Sequence, residues 1–201
     1  MIIASISVGR RDKEKLVIKT ECGKYISARV DDAYMLRVGQ EISEEKAEEL
    51  NALFSKTLAK KSAARTLARR SVSKHELSKK LREKGFSDED TSDAVEWFSE
   101  HGFVDDEAYA KALCEYYTNR GYGEGRLREE FYRRGIAREI WEEIFEALPS
   151  RTDDIRALVE KKLHGEEMTK EKKQKIVAFL LRRGFGYGEI RDAMGNMEEF
   201  D

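Results

Sequence analysis

A stripe of cationic side chains is the first feature of this sequence that could bind a partner. Lys61, Arg65 and Arg69 recur at every fourth position, and residues four apart lie on one face of an α-helix. Like charges at this spacing destabilise an isolated helix by about 0.2–0.5 kcal/mol per pair, so their alignment indicates an anionic partner outside the protein or elsewhere in the chain. The candidate contact residues of this surface are Lys61, Arg65, Arg69, Arg70, Lys79 and Arg82.

A second group of arginines lies among aromatic residues between positions 126 and 134. A guanidinium group forks onto phosphates or carboxylates, and an exposed aromatic ring stacks on a nucleic-acid base. We interpret Phe131 as a core residue of this segment and Tyr132 as its exposed ring. The candidate contact residues here are Arg126, Arg128, Tyr132, Arg133 and Arg134.

The charges are sorted into blocks along the chain, although the net charge is only -2. Residues 55–85 carry 11 Lys or Arg against two acids, whereas residues 86–118 carry ten acids against one Lys. Two interpretations stay open: the basic block binds an external anionic partner, or the two blocks neutralise each other within the fold. The acidic residues are interpreted as helix caps and solvent-exposed positions, with contact to a basic partner as the alternative for Glu96, Glu100, Asp105 and Asp106.

Two glycine-rich segments, GYGEG at 121–125 and GFGYG at 184–188, invite comparison with nucleotide-binding loops. A Walker loop needs a Lys followed by Ser or Thr after the final glycine, and neither segment has this pair. Neither segment follows a strand of a parallel sheet, as a dinucleotide fingerprint requires. We therefore interpret both as turns before short helices, with phosphate contact at a helix N-terminus as the alternative.

The histidines and cysteines do not have the spacing of a metal site. His75, His101, His164, Cys22 and Cys114 form no CxxC or HExxH pattern. We also find no set of nucleophile, acid and base, so we expect no catalytic residue, no metal and no cofactor. The two distant cysteines and the absence of a secretory signal or an apolar run of about 18 residues predict a cytoplasmic protein without a membrane span.

The first 42 residues differ from the rest of the chain. Short β-branched runs, IIASISV, KLVIKT and KYISARV, are separated by turn-forming segments. They predict a small antiparallel β element at 1–42, which is too small to be stable alone and must pack on the following helix or on a partner. Ser43 then begins a connecting helix at 43–54, with acids in its first turn.

The rest of the chain is predicted to form helices that end in a repeated pattern. HELSKKLREKGF at 75–86, GRLREEFYRRGI at 125–136 and QKIVAFLLRRGF at 174–185 share apolar residues four apart, followed by a glycine and an apolar residue. Such a glycine suits the left-handed end of a helix, and the apolar residue after it folds back against the last turn. The residues that carry the repeat are Leu77, Leu81, Gly85, Phe86, Gly102, Asp105, Asp106, Tyr109, Leu127, Phe131, Gly135, Ile176, Leu180 and Gly184.

The junction between the first two repeats predicts an abrupt change of helix. Gly102 ends one helix, and Phe103 and Val104 are expected to turn into the core. Asp105 or Asp106 then caps the next helix. One face of that helix is predicted to be apolar, formed by Tyr109, Ala112, Leu113 and Tyr116.

The recurrence of this pattern at a period of about 50 residues predicts three tandem three-helix repeats. Their expected ranges are 55–102, 103–149 and 150–195, followed by a tail at 196–201. The predicted fold is mainly α, with the three repeats forming an elongated curved array behind the N-terminal β element. We expect a monomer.

Three ordered segments resemble the bacterial RecX family, whose members modulate the recombinase RecA. They are ARTLARRSVSKHELSKKLREKGF, FSEHGFVDDEAYAKAL and NRGYGEGRLREEFYRRGI, and they cover most of 60–148. The third repeat is similar by pattern only, and the N-terminal strands resemble an extension found in some members. The resemblance implies a crescent of three-helix repeats that lies in the groove of the RecA filament on DNA. It also implies a role in DNA repair, recombination and the SOS response, through changes in filament assembly and ATPase activity.

The leading hypothesis is a non-enzymatic regulator that binds RecA and inhibits it, with basic residues also contacting single- or double-stranded DNA. One alternative is an independent DNA-binding protein of helix-turn-helix-like repeats, which would bind bare DNA tightly with a steep dependence on salt. The other is a helical scaffold for different protein partners.

Overall fold

The computed structural model of the chain describes residues 1–10 and 12–195. The predicted tail at 196–201 lies outside the described residues. The strands are β1 (Ile3–Val8), β2 (Lys15–Thr20) and β3 (Tyr25–Arg29). The helices are α1 (Val30–Ala33), α2 (Glu44–Leu67), α3 (Lys74–Glu83), α4 (Asp88–Glu100), α5 (Asp106–Thr118), α6 (Glu124–Arg134), α7 (Arg138–Glu146), α8 (Thr152–Leu163), α9 (Lys170–Arg182) and α10 (Tyr187–Met194). The predicted class, mainly α with three three-helix domains behind a small antiparallel β element, is confirmed.

Contacts between Cα atoms divide the chain into two compact units. The first unit contains residues 1–70 and 77–103, and the second contains residues 71–76 and the chain from 104 onward. The second unit therefore holds the helices α5 to α10, and the first holds the sheet.

The sheet of the first unit is packed against the helix that follows it. Its order is β1-β2-β3, and both pairs are antiparallel. Leu16 and Ile18 on β2 are buried at alternate positions, as expected for a strand with one face in the core. They share a core cluster with Ala47 and Leu50 of α2. The prediction that the strands pack on the following helix is confirmed.

Helix α2 is longer than the sequence reading expected. Ser43 is its N-cap and accepts a hydrogen bond from the backbone N–H of Lys46 at 3.1 Å. The helix then runs without a break through position 54, so the connecting helix predicted at 43–54 and the first helix of repeat 1 are one element. The physical reason is that no Gly or Pro interrupts the Ala- and Lys-rich segment from Glu44 to Leu67.

The predicted glycine helix ends are confirmed. Gly85, Gly135 and Gly184 have φ values of 87°, 63° and 86°. In each case the N–H after the glycine donates to the carbonyl five residues earlier, as in the bond of 3.1 Å from Ile136 to Phe131. This is the Schellman arrangement, which satisfies carbonyls that the helix leaves without partners. Gly102 ends α4 in the same way, at φ 71°.

One core prediction at this junction is right and one is wrong. Val104 is buried, but Phe103 is 63% exposed. Phe103 packs locally instead, with its ring centroid 5.8 Å from that of Phe98 and 6.5 Å from that of Trp97. The bend at Gly102 thus brings Phe103 against the last turn of α4 without covering it.

The predicted apolar face of α5 is rotated from the observed one. Ala112 and Tyr116 are exposed and Tyr109 is only half-buried, whereas Leu113 is buried as predicted. The residues of α5 that join the core are Ala110, Leu113 and Cys114, with Tyr109 and Tyr117 packed against them. The position of α7, which contacts α5, decides which side of the helix is covered.

Each three-helix group of the second unit has its own core. Phe131 of α6 and Trp141 of α7 lie in the first of these cores, and the Trp141 indole N–H donates to the carbonyl of Ile136 at 2.8 Å. The second core contains Ile155, Leu180 and Ile190 from α8, α9 and α10. Three helices around one apolar core are the repeating element in both cases.

The two glycine-rich segments join these cores through their backbones. The N–H of Gly123 donates to the carbonyl of Arg183 at 2.9 Å, and the N–H of Gly125 donates to that of Gly184 at 2.8 Å. A Cβ atom on Gly123 would lie 2.5 Å from the carbonyl oxygen of Gly184. Glycine is therefore needed here for close approach of two chain segments, beyond the turning role predicted from the sequence.

We expect Gly123→Ala to lower the free energy of unfolding of the second unit by about 1–3 kcal/mol, because the new methyl group meets backbone that cannot move independently. Gly123 has φ -85°, so the effect is steric and not conformational. Gly188→Ala is the matched control, because no atom of the described residues lies within 4 Å of a Cβ there. In α10 that change should leave stability unchanged or raise it by up to about 1 kcal/mol. Equal urea midpoints for the two variants would contradict the proposed close contact.

Candidate functional site

The cationic stripe on α2 is partly occupied by acids of the same unit. The ammonium group of Lys61 hydrogen-bonds to Glu14 and lies 4.0 Å from the Oδ2 atom of Asp12. The hydrogen bond and the charge of Lys61 hold the pKa of Glu14 below its usual range. Lys61 is thus the member of the stripe that already has an anionic partner.

The other two stripe residues and the candidate Lys79 are open to solvent. Arg65, Arg69 and Lys79 are exposed. No carboxylate of the described residues lies within 4.0 Å of their charged groups. Arg70 is also exposed. Arg69 lies just beyond the last residue of α2, Leu67, where the helix dipole favours positive charge. Arg65, Arg69 and Lys79 are hereafter called the open cations of the first unit.

Other cations of the basic block are neutralised by the acidic block. Arg82 Nε lies 2.6 Å from Asp88 Oδ1. Lys56 Nζ lies 2.9 Å from both Glu89 and Asp93, and these hydrogen bonds raise the pKa of Lys56 above its usual range. Neutralisation within the fold therefore holds for Arg82 and Lys56, and binding of an external anionic partner stays a prediction for the open cations of the first unit.

In the second unit, a buried carboxylate forms ion pairs with three of the predicted contact arginines. Glu130 is only 2% exposed. Its carboxylate hydrogen-bonds to Arg133, and it lies 3.1 Å from Arg126 Nη2 and 3.3 Å from Arg134 Nη2. Burial raises the pKa of Glu130, but hydrogen bonding and charge from the arginines outweigh it, so the pKa lies below its usual range.

Arg134 is the most enclosed of these arginines, with 16% of its side chain exposed. It donates to the hydroxyl of Tyr109, which in turn donates to Glu76 Oε2 at 3.1 Å. Glu76 also accepts a bond from the backbone N–H of Ser73, and the hydroxyl of Ser73 accepts from the N–H of Glu76. This reciprocal pair is a capping box. Arg134 thus ties α6 to the start of α3 and to α5, which is a structural task.

Two further predicted contact residues, Arg128 and Tyr132, differ in their contacts and exposure. Arg128 is paired with Glu124, with Nε 2.6 Å from Oε1, and its guanidinium lies 4.6 Å from the ring centroid of Phe145. Tyr132 is 77% exposed, and Phe131 is fully buried. The exposed and core assignments of these two aromatic residues agree with the sequence reading, and a contact role for Tyr132 stays a prediction.

Of the four acidic candidates, the two aspartates accept internal hydrogen bonds and the two glutamates are exposed. Asp105 caps α5 by accepting from the N–H groups of Glu107 and Ala108, both at 2.9 Å. Asp106 accepts from the N–H of Lys74 at 2.8 Å, and burial raises its pKa despite this bond. Glu96 and Glu100 are exposed. Helix capping and internal hydrogen bonding therefore account for both aspartates.

Residues 1–10 and 12–195 contain no group of His, Cys, Asp and Glu side chains that could hold a metal ion. Over the same residues, none of the helices is both long and apolar enough to cross a bilayer. Cys22 is exposed and Cys114 is buried, and both are free thiols.

The sequence reading missed the role of Glu130. Its signal was available, because Arg126, Arg133 and Arg134 stand four residues before it and three and four residues after it. In a helix these spacings place all three arginines beside one carboxylate.

Comparison with known protein families gives matches over all three helical groups. The segments 59–98, 105–144 and 151–194 match the models of the first, second and third three-helix domains of RecX. A protein from Vibrio vulnificus named "Regulatory protein RecX" is 32% identical over 119 residues, which are 58% of this chain and 78% of that protein. One of the same name from Haemophilus influenzae is 31% identical over 127 residues, covering 61% of this chain and 84% of that protein.

Solved structures show the same fold. A crystal structure described as that of regulatory protein RecX matches with a TM-score of 0.70 and 19% identity, over 95% of this chain and 98% of that one. RecX from Lactobacillus salivarius matches with a TM-score of 0.66 and 18% identity, over 73% of this chain and 98% of that one.

We expect Glu130→Gln to destabilise the second unit by about 1–3 kcal/mol at about pH 7, because the arginines lose a buried charged acceptor. The wild-type pKa of Glu130 is lowered on folding. Its stabilising contribution is therefore complete above the unfolded-state pKa of about 4.3 and is lost as pH falls through the folded-state value. The difference between wild type and variant should shrink as the pH falls below the unfolded-state pKa.

Urea unfolding at several pH values measures this effect. Glu129→Gln is the control, since Arg126 is the one cation paired with Glu129 among the described residues and the Glu129 side chain is 69% exposed. A constant difference between wild type and Glu130→Gln across this pH range would contradict a stabilising ionised carboxylate.

Proposed function

Because the chain belongs to the RecX family of regulatory proteins, we propose that it binds the recombinase RecA, assembled as a filament on DNA, and inhibits it. The observation that carries this proposal is the uninterrupted series of three family domains between residues 59 and 194. All three are present in order, which supports a regulator of this type.

The proposed mechanism is non-enzymatic. Successive three-helix domains would contact neighbouring RecA protomers along the filament groove and restrain the movements that accompany ATP hydrolysis. Many moderate contacts spread over several domains give a high effective concentration for each further contact. Inhibition then requires neither a catalytic group nor a cofactor on this chain.

The open cations of the first unit are the contact residues that the charge distribution favours. Arg65, Arg69 and Lys79 are exposed without an ion pair among the described residues. A partner that supplies carboxylates or phosphates would remove the repulsion between these side chains. Lys61, Arg82 and Arg134 are weaker candidates, because their charges are already matched inside the protein.

Contact with DNA is part of the same proposal. Within the filament the nucleic acid supplies phosphates, and an arginine fork can bind a phosphate as well as a carboxylate. Tyr132, which is 77% exposed, could stack on a base that is accessible from the filament groove.

The double change Arg65→Glu with Arg69→Glu tests the proposed surface. We expect the concentration of variant needed for half-maximal inhibition of RecA ATP hydrolysis on single-stranded DNA to rise about tenfold, because two attractive charges become repulsive. The control is Arg10→Glu with Lys13→Glu, which makes the same change in charge on exposed residues of the same unit. Circular dichroism should show unchanged helix content in both variants.

Two different failures can be told apart. If the wild-type protein in stoichiometric excess leaves RecA ATP hydrolysis and strand exchange unchanged, the proposed function is wrong. If the wild type inhibits and both double variants inhibit equally well, only the assignment of the contact surface is wrong.

A further inference from the structure

The second unit contains a cleft that shares no lining residue with the cationic stripe or with the arginines around Glu130. Its volume is about 880 Å³, within the range of about 300–1,000 Å³ that is usual for sites of small ligands. Its walls come from the end of α5, the connection between α7 and α8, the second half of α8, and α9. It therefore lies where the second and third three-helix domains meet within one compact unit.

The cleft carries an excess of positive charge. Arg120, Lys161, Lys162 and Arg183 line it, and no carboxylate of the described residues lies within 4.0 Å of their charged groups. The carboxylate in the lining, Asp154, is paired with a fifth cation, Arg151. Four positive charges thus face one cavity without a matched acid.

Aromatic rings and carbonyl groups hold several of these cations in place without neutralising them. The guanidinium of Arg120 lies 4.1 Å from the ring centroid of Tyr116, and the ammonium of Lys162 lies 4.7 Å from that of Phe179. Arg183 Nη1 donates to the carbonyls of Arg120 at 2.7 Å and Gly121 at 3.1 Å. Contacts with neutral partners restrict the side chains but leave their net charge available. An anion entering the cleft would meet cations that are already ordered.

The remaining walls are apolar. Leu148, Pro149, Leu158 and Phe179 all line the cavity. A small inorganic anion would leave this surface without a partner, whereas a ligand that joins a phosphate to a flat, partly apolar group would use both kinds of wall. A nucleotide has this combination, since an aromatic side chain can stack on its base and cations can bind its phosphate.

We infer that this cleft binds a phosphate ester of nucleotide size, with Arg120, Lys161, Lys162 and Arg183 contacting the phosphate. A free nucleoside phosphate and one unit of a single-stranded nucleic acid present the same chemistry to these residues. This inference goes beyond the proposed function, because the cleft contains none of the contact residues proposed above and its test does not involve RecA.

Fluorescence anisotropy tests the inference on the full chain. The probes are a fluorescent adenosine triphosphate analogue and a fluorescein-labelled oligothymidylate, each with inorganic phosphate as competitor. We expect saturable binding of at least one probe, with affinity that falls as salt is raised. Tighter binding of the oligonucleotide would identify a nucleic-acid strand as the source of the phosphate, and equal or tighter binding of the triphosphate would identify a free nucleotide. Either result supports the site.

The double variant Lys161→Ala with Lys162→Ala should bind about tenfold more weakly. For the oligonucleotide, the slope of log affinity against log salt should become shallower by about 1.4 for two lost phosphate contacts. Lys170→Ala with Lys175→Ala is the matched control, because both lysines are exposed on α9 and lie outside the cleft lining. Its affinity should equal that of the wild type.

A second variant keeps the test valid if the lysine substitutions disturb the end of α8. Ala157→Glu places a negative charge on an exposed position of the cleft wall while all four cations remain, and it should weaken binding by at least as much. The inference is overturned if neither probe binds saturably, or if the control pair reduces affinity as much as the Lys161 and Lys162 pair.

Discussion

A left-handed glycine at the end of a helix is the constraint on which the rest of this structure depends. At Gly85, Gly135 and Gly184 the chain takes a positive φ that lets two N–H groups turn back onto carbonyls of the last turn. The same turn directs the next residue towards the core, and Ile136 and Phe185 are buried there. Because the next helix begins a few residues later, three short helices can enclose one core, and each group repeats the solution of the one before.

Glycine has a second use where two of these groups meet. Gly123 and Gly184 bring two backbones so close that hydrogen bonds pass directly between the segments. The cationic cleft lies beside this junction, and Arg183 belongs to both. Its backbone carbonyl accepts a hydrogen bond from Gly123, and its side chain lines the cleft. The close backbone contact and the positive charge of the cleft thus occur at one place in the second unit.

Internal pairing decides which charges can serve a partner. Glu130 holds Arg126, Arg133 and Arg134, and Lys61 is matched by Glu14. Such pairs stabilise helix positions, but a cation that is already matched gains less from an external anion. Among the contact residues predicted from the sequence, Arg65, Arg69 and Lys79 are exposed and have no ion pair with another described residue.

The sequence by itself determined the helical class, the N-terminal strands, the period of about 50 residues and the glycine helix ends, because these follow from interactions between residues that are close along the chain. It also indicated the family through ordered motifs. Only the tertiary structure decided that Phe103 stays exposed, that Ala110 rather than Ala112 faces the core of α5, and that most of the predicted contact arginines are paired. It alone brought Arg120, Lys161 and Arg183 to one cleft. The physical reason is that burial and charge matching depend on neighbours distant in sequence, whose positions local pattern does not specify.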